Sequence, residues 1–259
     1  MDERGELDFR ERTVLVTGSA RNIGRAILLE FAGRGANVVI NTRSNEDEAQ
    51  ETEAAAAALG ARTLVVMGDA GERETIERMK REAEARFGRV DIYVSNAARR
   101  LHRNFDETTD EDWHYYLNQQ LTACWYLAKA FVPGMKEAGW GRIIHVNGPD
   151  GWFGGADRIP HSAAKGAMRN LTKSFAEGFG PFGITVNDIV PGFQDSIRDL
   201  ETHPYLTEEF KAGAVKTIPI RRLPKMTELA WTCAFLCSER SNGITGAVIH
   251  VDGGQFRLS

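Results

Sequence analysis

The feature that most constrains this chain is an alternation running almost its whole length. Short runs of β-branched and apolar residues, at 13–17, 37–41, 63–67, 91–95, 142–146, 185–190 and 247–251, read as strands. Between them, 23–33, 46–59, 72–87, 111–138, 162–179 and 228–237 carry helical spacing. Short connections return each helix across a sheet face, so successive strands must pair in parallel. The expected fold is α/β: a doubly wound parallel sheet of about seven strands with helices on both faces. A length of 259 residues fits one such domain, 1–259. The alanine run at 54–58 reads as a strong helix former.

A net charge of −4 is spread along the chain, with no basic stripe to neutralise nucleic-acid phosphates. Residues 1–12 are charged and lack the apolar core of a signal peptide, and no later apolar run has membrane-spanning length. A cytoplasmic protein with neither nucleic-acid nor membrane partners is expected. Cys124, Cys233 and Cys237 form an odd set that reads as buried free thiols, with no metal site.

A sheet of this kind binds ligands at the carboxyl ends of its strands, where the winding reverses. The turn after the first strand is Thr17-Gly18-Ser19-Ala20-Arg21-Asn22-Ile23-Gly24, and it opens a helix. Glycine there lets the backbone approach a pyrophosphate, which the free N–H groups of the helix start attract. A tight structural turn would look similar, but the position inside a βαβ unit favours a Rossmann-type dinucleotide site.

With these residues the chain resembles the short-chain dehydrogenase/reductase family, whose turn is T-G-x-x-x-G-x-G. Asn22 stands where the middle glycine is expected, and asparagine tolerates positive φ better than other side chains. The resemblance covers nearly the whole chain. Asp69, with Ala70 beside it, matches the family's adenine contact. Asn96-Ala97-Ala98 resembles its N-A-G stretch and Pro191-Gly192 its nicotinamide-side P-G, with Ser196 just beyond. Ile244-Thr245-Gly246 and Val251-Asp252-Gly253-Gly254 resemble its closing motifs.

The end of the second strand distinguishes the two nicotinamide cofactors, because a carboxylate there binds a ribose and repels a 2′-phosphate. Here Thr42 takes the acidic position and Arg43 follows, with Arg21 as a second cation. A guanidinium suits a phosphate, so NADP(H) is favoured over NAD(H), unless Arg43 is only a solvated loop residue.

The resemblance implies a Ser, a Tyr-x-x-x-Lys pair and an Asn as the proton relay. Aligned on Ser162-Ala163-Ala164-Lys165-Gly166, the lysine is Lys165, the tyrosine position is His161 and the serine position is Gly148. Gln120 takes the asparagine position, with Asn118 as the neighbouring option. A lysine ammonium beside His161 pushes the imidazole towards neutrality, and neutral histidine is a base more readily than an acid. A carboxylate, Asp157 or Asp150, would restore its ability to donate. His161 could equally cap its helix beside Pro160, and Lys165 could serve cofactor binding alone.

Arg99, Arg100, His102 and Arg103 follow the fourth strand, where they either steer an anionic substrate or form a solvated face. Segment 194–223, with Trp152 and Phe153, is expected to wall and cover the cleft. Three functions compete: an NADP(H)-dependent oxidoreductase of a small carbonyl or alcohol, a non-redox enzyme catalysing elimination, isomerisation or dehydration, and a nucleotide-binding protein without catalysis. The first is the leading expectation. The resemblance also implies a homo-oligomer, a tetramer or dimer.

Overall fold

The computed structural model describes residues 7–100, 102–194 and 207–256. Ser196, and the part of the expected cleft cover spanning 195–206, lie outside the described residues. The strands are β1 (Thr13–Val16), β2 (Asn37–Thr42), β3 (Thr63–Met67), β4 (Ile92–Ser95), β5 (Gly141–Val146), β6 (Ile184–Pro191) and β7 (Val248–Val251). They form one seven-stranded sheet in the order β3-β2-β1-β4-β5-β6-β7. Every pairing is parallel. The winding reverses between β1 and β4, which places their carboxyl ends at the ligand crevice.

The helices are α1 (Asn22–Ala32), α2 (Glu46–Ala58), α3 (Arg73–Phe87), α4 (Asp110–Leu117), α5 (Ala123–Ala138), α6 (Asp150–Phe153), α7 (Ile159–Phe179), α8 (Glu208–Thr217) and α9 (Met226–Leu236). Alternation along the strands divides the core between the two faces. Val14, Val16 and Val94 pack with Ile27 and Phe31 of α1 and Leu229 of α9. Leu15, Tyr93 and Ile143 face the other way, against Met79 of α3, Leu127 and Phe131 of α5 and Phe175 of α7.

The run expected as one helix over 111–138 is interrupted: a π-helical turn, Asn118–Thr122, joins α4 to α5. Such a turn adds a residue and re-aims the side chains around it, here Gln119 and Gln120, which are both buried. Helix α7 begins before Ser162, with Pro160 in its first turn and Arg158 at its N-cap, so His161 lies inside the helix and is not its cap. Two short helices were not foreseen: α6, which carries Asp150, and α8, within the expected cleft cover. All three cysteines are buried free thiols. Among the described residues no group of His, Cys, Asp or Glu is arranged to hold a metal, and no helix is long and apolar enough to cross a membrane.

Candidate active site

The turn after β1 is packed as a cradle. Gly18 has φ 61° and Asn22 has φ 51°, so asparagine occupies the left-handed conformation that the second glycine position demands. A Cβ on Gly24 would lie 2.3 Å from the Gly18 carbonyl oxygen and 2.6 Å from Nδ2 of Asn96, so only glycine fits. Asn96 Nδ2 donates to the carbonyls of Thr17 (2.9 Å) and Gly18 (3.1 Å), while the Asn96 and Ala97 amides donate to the Thr17 hydroxyl. Buried Asn41 accepts from the Gly18 amide at 3.3 Å, and its own amide donates to the Ser19 hydroxyl at 3.1 Å. Ser19 is thereby a structural part of the turn.

The N-terminus of α1 has no side-chain cap and no acidic residue in its first turn. By contrast, α2 is capped by Asn45 and opens on Glu46, Asp47 and Glu48, and α4 has a full capping box. The amides of α1 at Ile23 and beyond therefore have no side-chain cap or carboxylate competing with an anion.

Around this cradle the ends of β2 and β3 meet α4. Arg43 is exposed and donates to the Tyr115 hydroxyl at 3.0 Å, and that hydroxyl donates to Asp69 Oδ2 at 3.4 Å and accepts from Gln119 at 3.2 Å. Asp69 Oδ1 accepts from the Gly71 amide at 2.9 Å, and Ala70 is buried beside it. Tyr115 thus links the residues expected at the two sides of the adenosine, a role the sequence reading missed; its only signal was the Tyr115/Gln119 spacing of four on one helix face. Thr42 is half-buried at the strand end, Ala98 is exposed, and Arg21 lies 3.7 Å from Glu48. On the other flank, Gly192 packs so closely on Asp252 that a Cβ would come within 2.6 Å, fixing Pro191-Gly192 against the closing V-D-G-G segment.

The residues expected to carry the reaction converge at the ends of β4 and β5. Lys165 is buried on α7 and donates to the Val146 carbonyl at 2.8 Å, which uses one of its three N–H donors. Burial lowers its pKa to about 8, against the opposing charges of Cys124, Asp188 and Asp150. One turn earlier, His161 is buried with Nε2 3.3 Å from Asp150 Oδ2, an ion-pair distance without the alignment of a full hydrogen bond. Burial lowers the His161 pKa to about 4, and the charges of Lys165 and Arg100 add to this; contact with Asp150 only partly offsets it. His161 is neutral at physiological pH.

Asp150 is the carboxylate that the fold brings to His161. Asp157 instead pairs with His102 at 2.6 Å and with Arg158. Arg158 also reaches Asp150 Oδ1 at 2.9 Å, and Arg100 lies 3.8 Å from Oδ2. Burial would raise the Asp150 pKa, yet His161, Arg158 and Arg100 together hold it well below the usual carboxylate range. Of the basic cluster, Arg100 therefore faces the site, while Arg103 is tied to Asp112 at 2.6 Å. His161, Arg158, Arg103 and Tyr116 line a small cavity of about 10 Å³, room for one water-sized group.

Among the described residues, a Cβ on Gly148 would meet no atom within 4 Å. Gln120 is fully buried, donates to the Arg99 carbonyl at 3.2 Å and keeps its Oε1 without a partner. Asn118 instead accepts from Thr122 on the exposed side of the turn. The π turn therefore presents Gln120, not Asn118, to the interior.

A family model described as enoyl-(acyl carrier protein) reductase matches residues 18–255. The 3-oxoacyl-[acyl-carrier-protein] reductase of Escherichia coli is 34% identical over 252 residues, covering 97% of this chain and 100% of that protein. Among solved structures, a gluconate 5-dehydrogenase from Burkholderia cenocepacia in complex with NADP and tartrate aligns with TM-score 0.88 and 28% identity over 99% of both chains. YwfH, an NADPH-dependent reductase involved in bacilysin biosynthesis, aligns with TM-score 0.89 and 29% identity over 96% of this chain and 99% of that one. The chain belongs to the short-chain dehydrogenase/reductase family.

Proposed function

We propose that the chain is an NADP(H)-dependent oxidoreductase of a small, anionic alcohol or carbonyl compound, in which His161, backed by Asp150, takes the proton that a tyrosine takes in its relatives. The observation that carries this reading is the pairing of a neutral buried imidazole with a buried ammonium one turn away on the same helix face.

The residues present fit a dinucleotide. The cradle excludes side chains at Gly18 and Gly24, and α1 offers uncapped amides to a pyrophosphate. Thr42 brings no carboxylate to the end of β2, and the exposed Arg43 guanidinium is in reach of a 2′-phosphate group. Asp69 and Ala70 would border the adenine, Asn96, Ala97 and Ala98 the ribose path, and Pro191 and Gly192 the nicotinamide. A bound nicotinamide supplies or accepts the hydride.

The chain's own residues handle the proton. With Nε2–H turned to Asp150, Nδ1 of His161 is a free base that can accept the proton of a substrate hydroxyl. Ionised Asp150 stabilises the imidazolium so formed. Lys165 holds its ammonium beside the same position, with donors left for a ribose or substrate oxygen. The neutral resting state of His161 favours alcohol oxidation over carbonyl reduction. Arg100 and Arg158, both partly exposed beside the reaction position, would attract a carboxylate-bearing substrate. The similarity to a gluconate dehydrogenase solved with tartrate supports an acidic polyol or hydroxy acid. A homo-oligomeric cytoplasmic enzyme agrees with the family.

Gly148 favours a second reading, because no hydroxyl stabilises an oxyanion there, while proton abstraction beside a carbonyl needs only the base. One experiment separates the two: incubation with NADP+ and a panel of hydroxy acids, following both absorbance of reduced cofactor and substrate proton exchange with deuterated solvent. Cofactor reduction supports the oxidoreductase. Exchange without reduction supports the non-redox enzyme.

A further inference from the structure

Near Lys165 lies a polar chain that the reaction above does not use. Cys124 of α5, His145 of β5, Thr172 of α7 and Asp188 of β6 are all fully buried. The Thr172 hydroxyl donates to Asp188 Oδ1 at 2.6 Å and lies 2.7 Å from His145 Nδ1. Asn147 Nδ2 donates to the other oxygen, Oδ2, at 2.8 Å.

Donor counting fixes the protons. A hydroxyl has one hydrogen, and that of Thr172 goes to Asp188, so Nδ1 of His145 must be the donor to Thr172. Asp188 receives a donor on each oxygen and is therefore a carboxylate. Among the described residues His145 Nε2 makes no hydrogen bond, and the ring interacts electrostatically with Cys124. Cys124 Sγ also touches the Gln120 carbonyl (3.1 Å) and the Ser95 hydroxyl (3.4 Å). Whether Cys124 and His145 are thiol and imidazole or thiolate and imidazolium, the two together are neutral, so the four residues carry the one negative charge of Asp188.

That charge has an obvious counterpart. A buried ammonium is costly without a nearby anion, and the one hydrogen bond of Lys165 goes to a neutral carbonyl. That carbonyl belongs to Val146, which lies between His145 and Asn147, both of them held by the same chain. We propose that Asp188, Thr172, His145 and Cys124 are positioning residues that supply the counter-charge of the Lys165 ammonium and anchor the strand end on which it rests.

The charges facing Lys165 are Cys124 from α5, Asp188 from β6, Asp150 from α6, Arg100 from the segment after β4 and His161 from its own helix. Cys124, Asp188 and Asp150 favour the ammonium, while Arg100 opposes it. His145 is raised to about 10 despite burial, and Cys124 is lowered despite burial by His145, so the two favour each other's charged forms and leave Asp188 as the net charge.

The test reads Lys165 itself by NMR of protein labelled at lysine Cε, with the resonance assigned by its loss in Lys165→Met. Wild type is expected to titrate near pH 8. In Asp188→Asn, which keeps the shape but turns one acceptor into a donor, the midpoint is expected about one unit lower, a tenfold loss of ammonium at a fixed pH above it. Asp188→Ser removes the same charge with a smaller side chain and is expected to move it the same way, so the test stands even if Asp188→Asn does not fold. An unchanged midpoint in either folded variant overturns the proposal. The link to turnover rests on the oxidoreductase reading: the alkaline fall in NADPH affinity should follow the same midpoint. A shifted Lys165 titration in a protein that binds no NADPH would sink that reading and leave the counter-charge standing.

Discussion

Nε2 of His161 lies 3.3 Å from Oδ2 of Asp150, and both side chains are buried within a ring of partly exposed guanidinium groups. This geometry sets the protonation of the pair: a neutral base against an ionised carboxylate. His161→Ala is therefore expected to lower turnover in alcohol oxidation by about 10²–10⁴-fold with little change in NADPH affinity. On the acid side, the wild-type rate should hold from neutral pH down and fall only as pH approaches 4. Steady-state kinetics and a fluorescence titration check both; unchanged turnover in the variant would remove His161 from the reaction.

The same shift makes a stability prediction. The folded-state pKa of His161, about 4, lies below its usual value of 6.5, so the unfolded chain binds this proton first as pH falls. Stability from this group is complete above about pH 6.5 and declines between there and pH 4, by a total of about 3 kcal/mol. His161→Gln should flatten this part of the profile in urea denaturation measured at several pH values. An equal acid slope in both proteins would contradict the assigned environment.

Much of this architecture is written in local pattern. The β-branched runs place every strand within a few residues, because strands buried on both faces need them and the crossover helices leave no alternative pairing. The cradle was legible because Gly18 and Gly24 are required by backbone approach, and even the substitution at Asn22 could be read from its tolerance of positive φ. What stayed hidden depends on contacts distant in sequence. Neither spacing nor composition distinguishes Asp150 from Asp157 as the neighbour of His161; the short helix α6 decides it, by turning Asp150 inward. The π turn was invisible because its residues keep helical periodicity, yet it determines that Gln120 rather than Asn118 faces inward. The chain from Cys124 to Asp188 draws one residue from each of four elements, and no spacing in the sequence connects residues so far apart.

Cofactor choice rests on Thr42 and Arg43. Arg43→Ala should weaken NADPH about tenfold or more while leaving NADH affinity nearly unchanged, since of the two cofactors only NADPH brings a 2′-phosphate to the guanidinium. Thr42→Asp should act more strongly, combining repulsion of that phosphate with new acceptors for the ribose hydroxyls, and invert the preference. Parallel titrations with the two reduced cofactors measure this. Equal losses for both would show that Arg43 supports the turn through Tyr115 and does not read the phosphate.

Asn22 holds φ 51° at a position where its relatives' motif has glycine. A side chain in this region is strained, so Asn22→Gly is expected to stabilise the protein by about 0.5–1 kcal/mol, and Asn22→Val to destabilise it by about 1–2 kcal/mol. Thermal melts of the variants provide the check. Loss of stability in Asn22→Gly would mean that the asparagine side chain contributes contacts that outweigh its backbone strain.

The open space at Gly148 allows the missing part of the relay to be rebuilt. A Cβ there meets nothing within 4 Å among the described residues, so Gly148→Ser should fold normally and place a hydroxyl near the reaction position. Alone it restores an oxyanion donor but leaves a base that is neutral at pH 7 and poor at giving up a proton. Combined with His161→Tyr it supplies a phenol one turn from Lys165, whose ammonium lowers the phenol pKa. The double variant is expected to gain carbonyl reduction with NADPH and to shift its optimum towards the Lys165 pKa near 8, whereas Gly148→Ser alone is not. Tyrosine is larger than histidine at a position that is only 4% exposed, so a melt must accompany the assay. A well-folded double variant that binds NADPH and still reduces no carbonyl would show that the departure from the family lies in the substrate cleft as well as in the relay.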